Sequence, residues 1–392
     1  MNDFQKGVLS VIKSSFSGED IALDKDFPWD KAVDFIKAQS LDVMFWLGVR
    51  KSGLNIPPEY LTELQKRAMI MITHSVRREN EANRIFDLLK QNNIEFLPLK
   101  GAVLQYMYPE TGMRFMSDID VLIKQEQYTR IEKLMQNAGY DFVCESNHEY
   151  VWDKKNVLHI EFHKWLIPSY NKDYFAYYGN GWRLAKQEEG SRYKMSDEDF
   201  LIYIFTHLAK HYRDSGIGLK HFIDIWVYLN NKPELDERYI EGELVKLQLS
   251  DFYKNVLYTL QVWFDGAKSN EASDLITYWT FSGGAYGCYE KNILSTAVKE
   301  AAEKNGKNDN RITRLFRAVF MPYEQMCQKY SFLKKAPILL PGMWVVRIVT
   351  ALLYKRSNIK ERNAEITMLT NENVDSYRMA LNTVGLDFNF KE

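Results

Sequence analysis

Cysteine is scarce: Cys144, Cys288 and Cys327 stand far apart in 392 residues. An odd, scattered trio makes neither a disulfide framework nor a zinc ligand set, and it points to a reducing, cytoplasmic setting. Long apolar runs are missing too. The nearest approach to a membrane segment, residues 336–354, is interrupted by Pro341 and Arg347, so no membrane span is expected. Asp3 comes early, with no sustained apolar run behind it, so no secretory signal is expected either. Neither sign of charge is in excess. With 51 Lys+Arg against 52 Asp+Glu, the formal net charge of −1 lacks the basic footprint of a nucleic-acid binder, and nucleic acid is not a favoured partner. Glycine clusters once, at 282–287, without the Lys-Ser/Thr or the preceding strand of a phosphate cradle, so that loop reads as a turn. No repeat or low-complexity tract is present.

What is plentiful is apolar mass. Hydrophobic residues make up 46% of the chain and aromatics 14%, enough for a packed interior, and the length suits two or three domains. The first ninety residues read as helical. Pro57-Pro58 opens a pattern of Leu61, Leu64, Ala68, Ile72, Ala82, Ile85, Phe86 and Leu89 at helical spacing, which Asn92-Asn93 breaks. The texture then changes. Residues 95–99 and 119–123 read as strands, 101–108 as a short helix, and 128–138 as an amphipathic helix closed by Gly139. Three more strands follow at 140–144, 149–153 and 157–162. This order fits an α+β core: a small mixed sheet with helices on one side. From Ser196, whose Ser196-Asp197-Glu198-Asp199 resembles a capping box, the chain reads as helical again, at 222–229, 252–264, 293–303, 312–320 and 344–354. The expected divisions are a helical region at 1–92, a core at 93–195 and a C-terminal helical domain at 196–392.

Chemistry concentrates in the core. In Asp118-Ile119-Asp120-Val121, period-two alternation puts the two carboxylates on one face and turns Ile119 and Val121 inward. Two like charges so close are costly unless a cation sits between them, and hard oxygen ligands select Mg²⁺ or Mn²⁺. Upstream, Lys100-Gly101-Ala102 forms a turn where glycine lets backbone amides approach a phosphate oxygen. Acidic pairs of this kind also arise by chance on solvated faces. The arrangement as a whole argues otherwise: strand, Lys-Gly turn, short helix, Arg114, then an apolar strand led by two aspartates.

That arrangement resembles the DNA polymerase β-like nucleotidyltransferase superfamily. It is similar most of all to a bacterial family of uncharacterised nucleotidyltransferases, matched by Leu99-Lys100-Gly101, Tyr108-Pro109, Arg114 and Asp118-Ile119-Asp120-Val121-Leu122. Glu161-Phe162-His163-Lys164-Trp165, His207-Leu208-Ala209-Lys210-His211 and Phe222-Ile223-Asp224-Ile225 continue the match. The resemblance implies an enzyme that moves a nucleoside monophosphate from an NTP, with ATP the expected donor, to a hydroxyl acceptor: a small molecule, a sugar or a protein. It implies Asp118, Asp120 and Glu161 as catalytic, metal-holding carboxylates. Lys100, Gly101, Ala102 and Arg114 are then the nucleotide-binding set, with Lys100 and Arg114 neutralising triphosphate charge. Glu161 completes a metal shell or deprotonates the acceptor, unless it is an ordinary sheet glutamate. By period two it shares a face with His159 and His163, which leaves a zinc site as a lesser alternative. His207, Lys210 and His211 either contact phosphate or sit at a domain junction, and the C-terminal helices are expected to form the acceptor wall. The competing reading is a catalytically inactive nucleotide- or partner-binding module on the same fold. Ala102 favours it, standing where the superfamily carries Gly or Ser.

Overall fold

The computed structural model describes residues 1–285, 287, 289–303, 336–346 and 369–388, with isolated positions 323, 326, 330 and 333. The expected helix at 312–320, most of that at 344–354, and Cys288 and Cys327 lie outside the described residues.

The N-terminal region is helical as its periodicity requires: α1 Asp3–Ser17, α2 Trp29–Gln39, α3 Asp42–Lys51 and α4 Pro58–Gln91. Asn2 caps α1 in a reciprocal box with Gln5, and Gly18 ends it in the left-handed conformation. Proline opens α4, where its missing N–H costs nothing, and α4 then runs 34 residues, about 50 Å. Its two halves serve different cores. Leu64 and Ala68 pack with α1–α3, whereas Ala82, Ile85, Phe86 and Leu89 pack under the sheet. Leu61, expected on the apolar stripe, is exposed.

The sheet has seven strands: β1 Phe96–Pro98, β2 Ile119–Ile123, β3 Asp141–Glu145, β4 Glu149–Lys154, β5 Leu158–His163, β6 Lys186–Glu189 and β7 Arg192–Lys194. They lie in the order β3-β4-β5-β2-β1-β7-β6. β2 runs antiparallel to β1 and parallel to β5, and β1 pairs parallel with β7. The fold is α+β. Five of these strands follow from the sequence pattern; the β6–β7 hairpin does not, because Lys186–Glu189 is fully exposed and carries no apolar alternation. Helices also cover both faces at the sheet centre rather than one. All five residues of β2 are buried. Ile119, Val121 and Ile123 meet α4 and α6 (Tyr128–Asn137), while Leu122 on the opposite face joins the larger core.

That larger core continues into α8 Asp197–Ser215, α9 Leu219–Asn231, α11 Ser250–Phe264 and α12 Glu271–Ser282. Ser196 caps α8 by accepting from the Asp199 amide, as its box pattern suggests. The glycine-rich loop is a turn: Gly284 and Gly287 exchange backbone hydrogen bonds, and Ala285 donates to the Ala38 carbonyl at the end of α2. Buried Gln39 ties the regions together. Its amide donates to the Gly283 carbonyl at 2.7 Å and its carbonyl accepts from the Leu219 amide at 2.9 Å. Among the described residues, no helix is long and apolar enough to cross a membrane.

Candidate active site

A cavity of about 420 Å³ opens between the central β2–β5 pair of the sheet and the helices α8 and α9. Strand register builds its acidic floor. Asp120 lies directly beside Glu161 across the parallel β2–β5 pair, and Asp118 precedes β2 by one residue on the Asp120 face. All three carboxylates line the cavity.

Asp120 is the most tightly held. Its Oδ1 accepts from Lys100 Nζ at 2.9 Å and contacts His163 Nε2 at 2.7 Å. Burial opposes its ionisation, but Lys100 and His163 override that and hold the carboxyl far below the usual carboxylate range. Lys100 is likewise held above the ordinary lysine value: burial opposes its charge, and Asp120 more than compensates. Lys100 reaches Asp120 from a backbone with φ 42°, a conformation rare for a residue with a side chain and typical of strained functional sites. Asp118 differs. Burial, then the neighbouring Asp120 charge, pushes its carboxyl up, and its hydrogen-bond donor is the Ser117 hydroxyl at 2.9 Å.

Glu161 sits between two histidines on its own strand, 3.6 Å from His159 Nε2 and 3.4 Å from His163 Nε2. His163 Nδ1 lies 2.9 Å from His148 Nε2. Burial opposes the charge on His163, but its bonds to Asp120 and Glu161 raise its pKa; burial, with His163 and Lys100 nearby, pushes His148 down to about 2. The consistent assignment is a cationic His163 that donates from both nitrogens, to Asp120 and to a neutral His148. The carboxylates fit a divalent metal, and His163 could join them as a ligand only after losing its proton. One ligand atom each from Asp120, Glu161 and His163 falls within 4.8 Å of the others, and Asp118 adds a third carboxylate in the same cavity. His148, Glu149 and His163 form a second such grouping.

The proposed nucleotide-binding residues divide. Lys100, Gly101 and Arg114 line the cavity; Ala102 does not. Its side chain is packed in the sheet core, and its amide donates to the Leu99 carbonyl. At Gly101 an added Cβ would come within 2.7 Å of Met116 Sδ, so close packing there requires glycine. Arg114 is already committed. Its Nε donates to Asp224 Oδ1 at 2.6 Å, and the Tyr108 hydroxyl donates to the same oxygen at 2.7 Å. Both charges are buried. Arg114→Met should therefore weaken the fold by about 3–5 kcal/mol in urea unfolding, because Asp224 loses its counter-charge, and adding Asp224→Leu should restore most of that loss.

The opposite wall is basic. His207, Lys210 and His211 from α8 and Lys220 and His221 from α9 line it, so five of the seven histidines face this one cavity. His207 and His211 touch through Nε2 at 3.1 Å, as their one-turn spacing allows. Burial first, then neighbouring cations, pushes His207, His211 and His221 well down, so all three are neutral at pH 7. The same causes push Lys210 and Lys220 down to about 8, which leaves them largely charged at neutral pH. Sequence reasoning passed over His148, Glu149, Lys220 and His221. A register signal existed for one of them. Centring the β4–β5 hairpin on Asn156 sets Glu149 opposite His163, the pairing observed.

A mixed sheet thus carries paired carboxylates at its central strand β2, facing a basic helical wall. The family model described as uncharacterised nucleotidyltransferase matches residues 25–265, well over half the chain, and the protein belongs to that family. No curated protein and no solved structure matches it.

Proposed function

We propose that the protein is a metal-dependent nucleotidyltransferase of the DNA polymerase β-like superfamily, moving a nucleoside monophosphate, AMP from ATP in the first instance, to a hydroxyl acceptor. The observation that carries this reading is the parallel β2–β5 pairing, which sets Asp120 beside Glu161 with Asp118 on the same face. Asp118, Asp120 and Glu161 would hold Mg²⁺ or Mn²⁺. When bound, such ions stabilise charge on the attacking and leaving oxygens of an in-line displacement.

The chain's own groups do the rest. The acceptor oxygen forms a bond to the donor's α-phosphorus, the bond to the pyrophosphate oxygen breaks, and the acceptor proton must go to a base. Asp120, locked as an anion by Lys100 and His163, is a poor base and a constant negative anchor. Glu161, partly open to the cavity and beside His159 and His163, is the group suited to take that proton. His163 positions both carboxylates.

The acceptor belongs to the class of small molecules, sugars or protein hydroxyls. A second reading rests on one observation: Lys100 already satisfies Asp120, as it would in a binding module that never turns over. Incubation with NTPs labelled at the α- or γ-phosphate, Mg²⁺ or Mn²⁺ and fractionated cell extract separates the two. Transfer of α-label with release of γ-label is the expected result, abolished by chelation. Transfer of γ-label would make the protein a kinase, and nucleotide binding without transfer would favour the binding module.

A further inference from the structure

The cavity's cations are not equivalent. Lys100 is bonded to Asp120 at 2.9 Å and Arg114 to Asp224 at 2.6 Å, so the two cations flanking the Lys-Gly turn already have carboxylate partners. Lys210 is the exception. It is 7% exposed, it lines the cavity, and among the described residues it makes no ion pair and donates no hydrogen bond. A buried ammonium is expensive to leave without a counter-charge. It stands between His207 and His211 on one helical turn, whose neutral rings can donate N–H bonds to an anion without adding charge. Lys220 and His221 extend the same wall from α9.

We infer that Lys210, with His207 and His211, is the polyphosphate-binding subsite of this cavity, holding the β- and γ-phosphates of the donor nucleotide. The naming of the anion as a nucleotide's tail rests on the transferase reading; the anion site itself does not. The α8 wall then belongs to the donor rather than to the acceptor. The polyphosphate lies across the cavity from the carboxylate floor, so the charge that grows on the departing pyrophosphate meets an ammonium whose charge no carboxylate has already neutralised.

Calorimetric titration of the full chain with inorganic tripolyphosphate, ATP and AMP tests this. Lys210→Met should weaken tripolyphosphate and ATP by at least ~10-fold and leave AMP within about two-fold, and Lys210→Arg should retain binding within a few-fold. Lys210→Met should also melt at or above the wild-type temperature, since it removes a buried charge that has no partner. A fall in melting temperature would mark Lys210 as structural and overturn the inference. So would unchanged tripolyphosphate affinity in the Met variant, equal losses for AMP and ATP, or failure of the wild type to bind tripolyphosphate. The two readings fail separately. Nucleotidyl transfer with unaltered tripolyphosphate binding in Lys210→Met would sink the subsite alone. Lys210-dependent tripolyphosphate binding without any transfer would sink the transferase reading alone.

Discussion

Asp120→Asn is expected to destabilise the protein by about 3–5 kcal/mol, whereas Asp118→Asn, two residues away, should stabilise it. The difference lies in their partners. Asp120 is the counter-charge of buried Lys100 and the nearer one of His163, and an amide there leaves Lys100 without its ion pair and His163 with Glu161 at 3.4 Å. Asp118 accepts from the Ser117 hydroxyl, makes no ion pair among the described residues, and is pushed towards its neutral form by burial and by Asp120. The pH dependence follows with opposite signs. Asp120, with its pKa lowered, contributes stability that is present above the ordinary carboxylate range and lost progressively as pH falls from that range towards the lowered folded value. Asp118, with its pKa raised, costs stability at neutral pH, and that cost fades as the pH falls through its raised value. The advantage of Asp118→Asn should thus be greatest near pH 7 and shrink on acidification. Denaturant unfolding of both variants across pH checks this, and equal shifts would mean the two carboxylates share one environment. Both variants should lose nucleotidyl transfer.

Glu161→Gln should cut transfer by at least ~10² while leaving ATP binding within a few-fold. A group that takes the acceptor's proton acts mainly in the transition state, so its loss falls on turnover rather than on ground-state affinity. The amide keeps the shape, and Glu161 keeps histidines on either side, so folding should be little affected. Rates at saturating ATP and acceptor, set beside calorimetric ATP affinity, decide the matter. A fully active Gln variant would return Glu161 to the role of an ordinary sheet residue.

Much of the site could be read from the chain because strand alternation is a strict code. Asp118-Ile119-Asp120-Val121 can place its apolar residues in a core only by sending both aspartates the other way, and Ile119 and Val121 are fully buried as that demands. Glu161, His159 and His163 share a face for the same reason. Pairing across distance has no such code. That Arg114 meets Asp224, 110 residues away, could not be inferred from charge alone, and an arginine beside a phosphate-like turn invites the wrong partner. Lys210 was visible within its His-x-x-Lys-His pattern, yet its lack of a counter-charge is a property of the packed cavity. The β6–β7 hairpin escaped detection for a different reason: Lys-Gln-Glu-Glu has no buried face to announce a strand, and it is held by its pairing with β7.

Gln39 sets an order of events during synthesis. Its side chain is completed by the Leu219 amide and by the carbonyls of Thr280 and Gly283, more than 240 residues downstream in the last case. α1 likewise rests against α11. At roughly 5–20 residues per second, a translating ribosome would need on the order of 10–50 s after finishing α3 before these partners emerge. Through that interval α1–α3 must wait with apolar faces uncovered, and the loop they eventually close is long enough to make its closure slow. The cavity can form only after this closure, since α8 and α9 are positioned through the same core. Activity on a nascent or C-terminally shortened chain should therefore appear only once residues 374–388, which fill the same core, are present, rather than when the carboxylate sheet is complete.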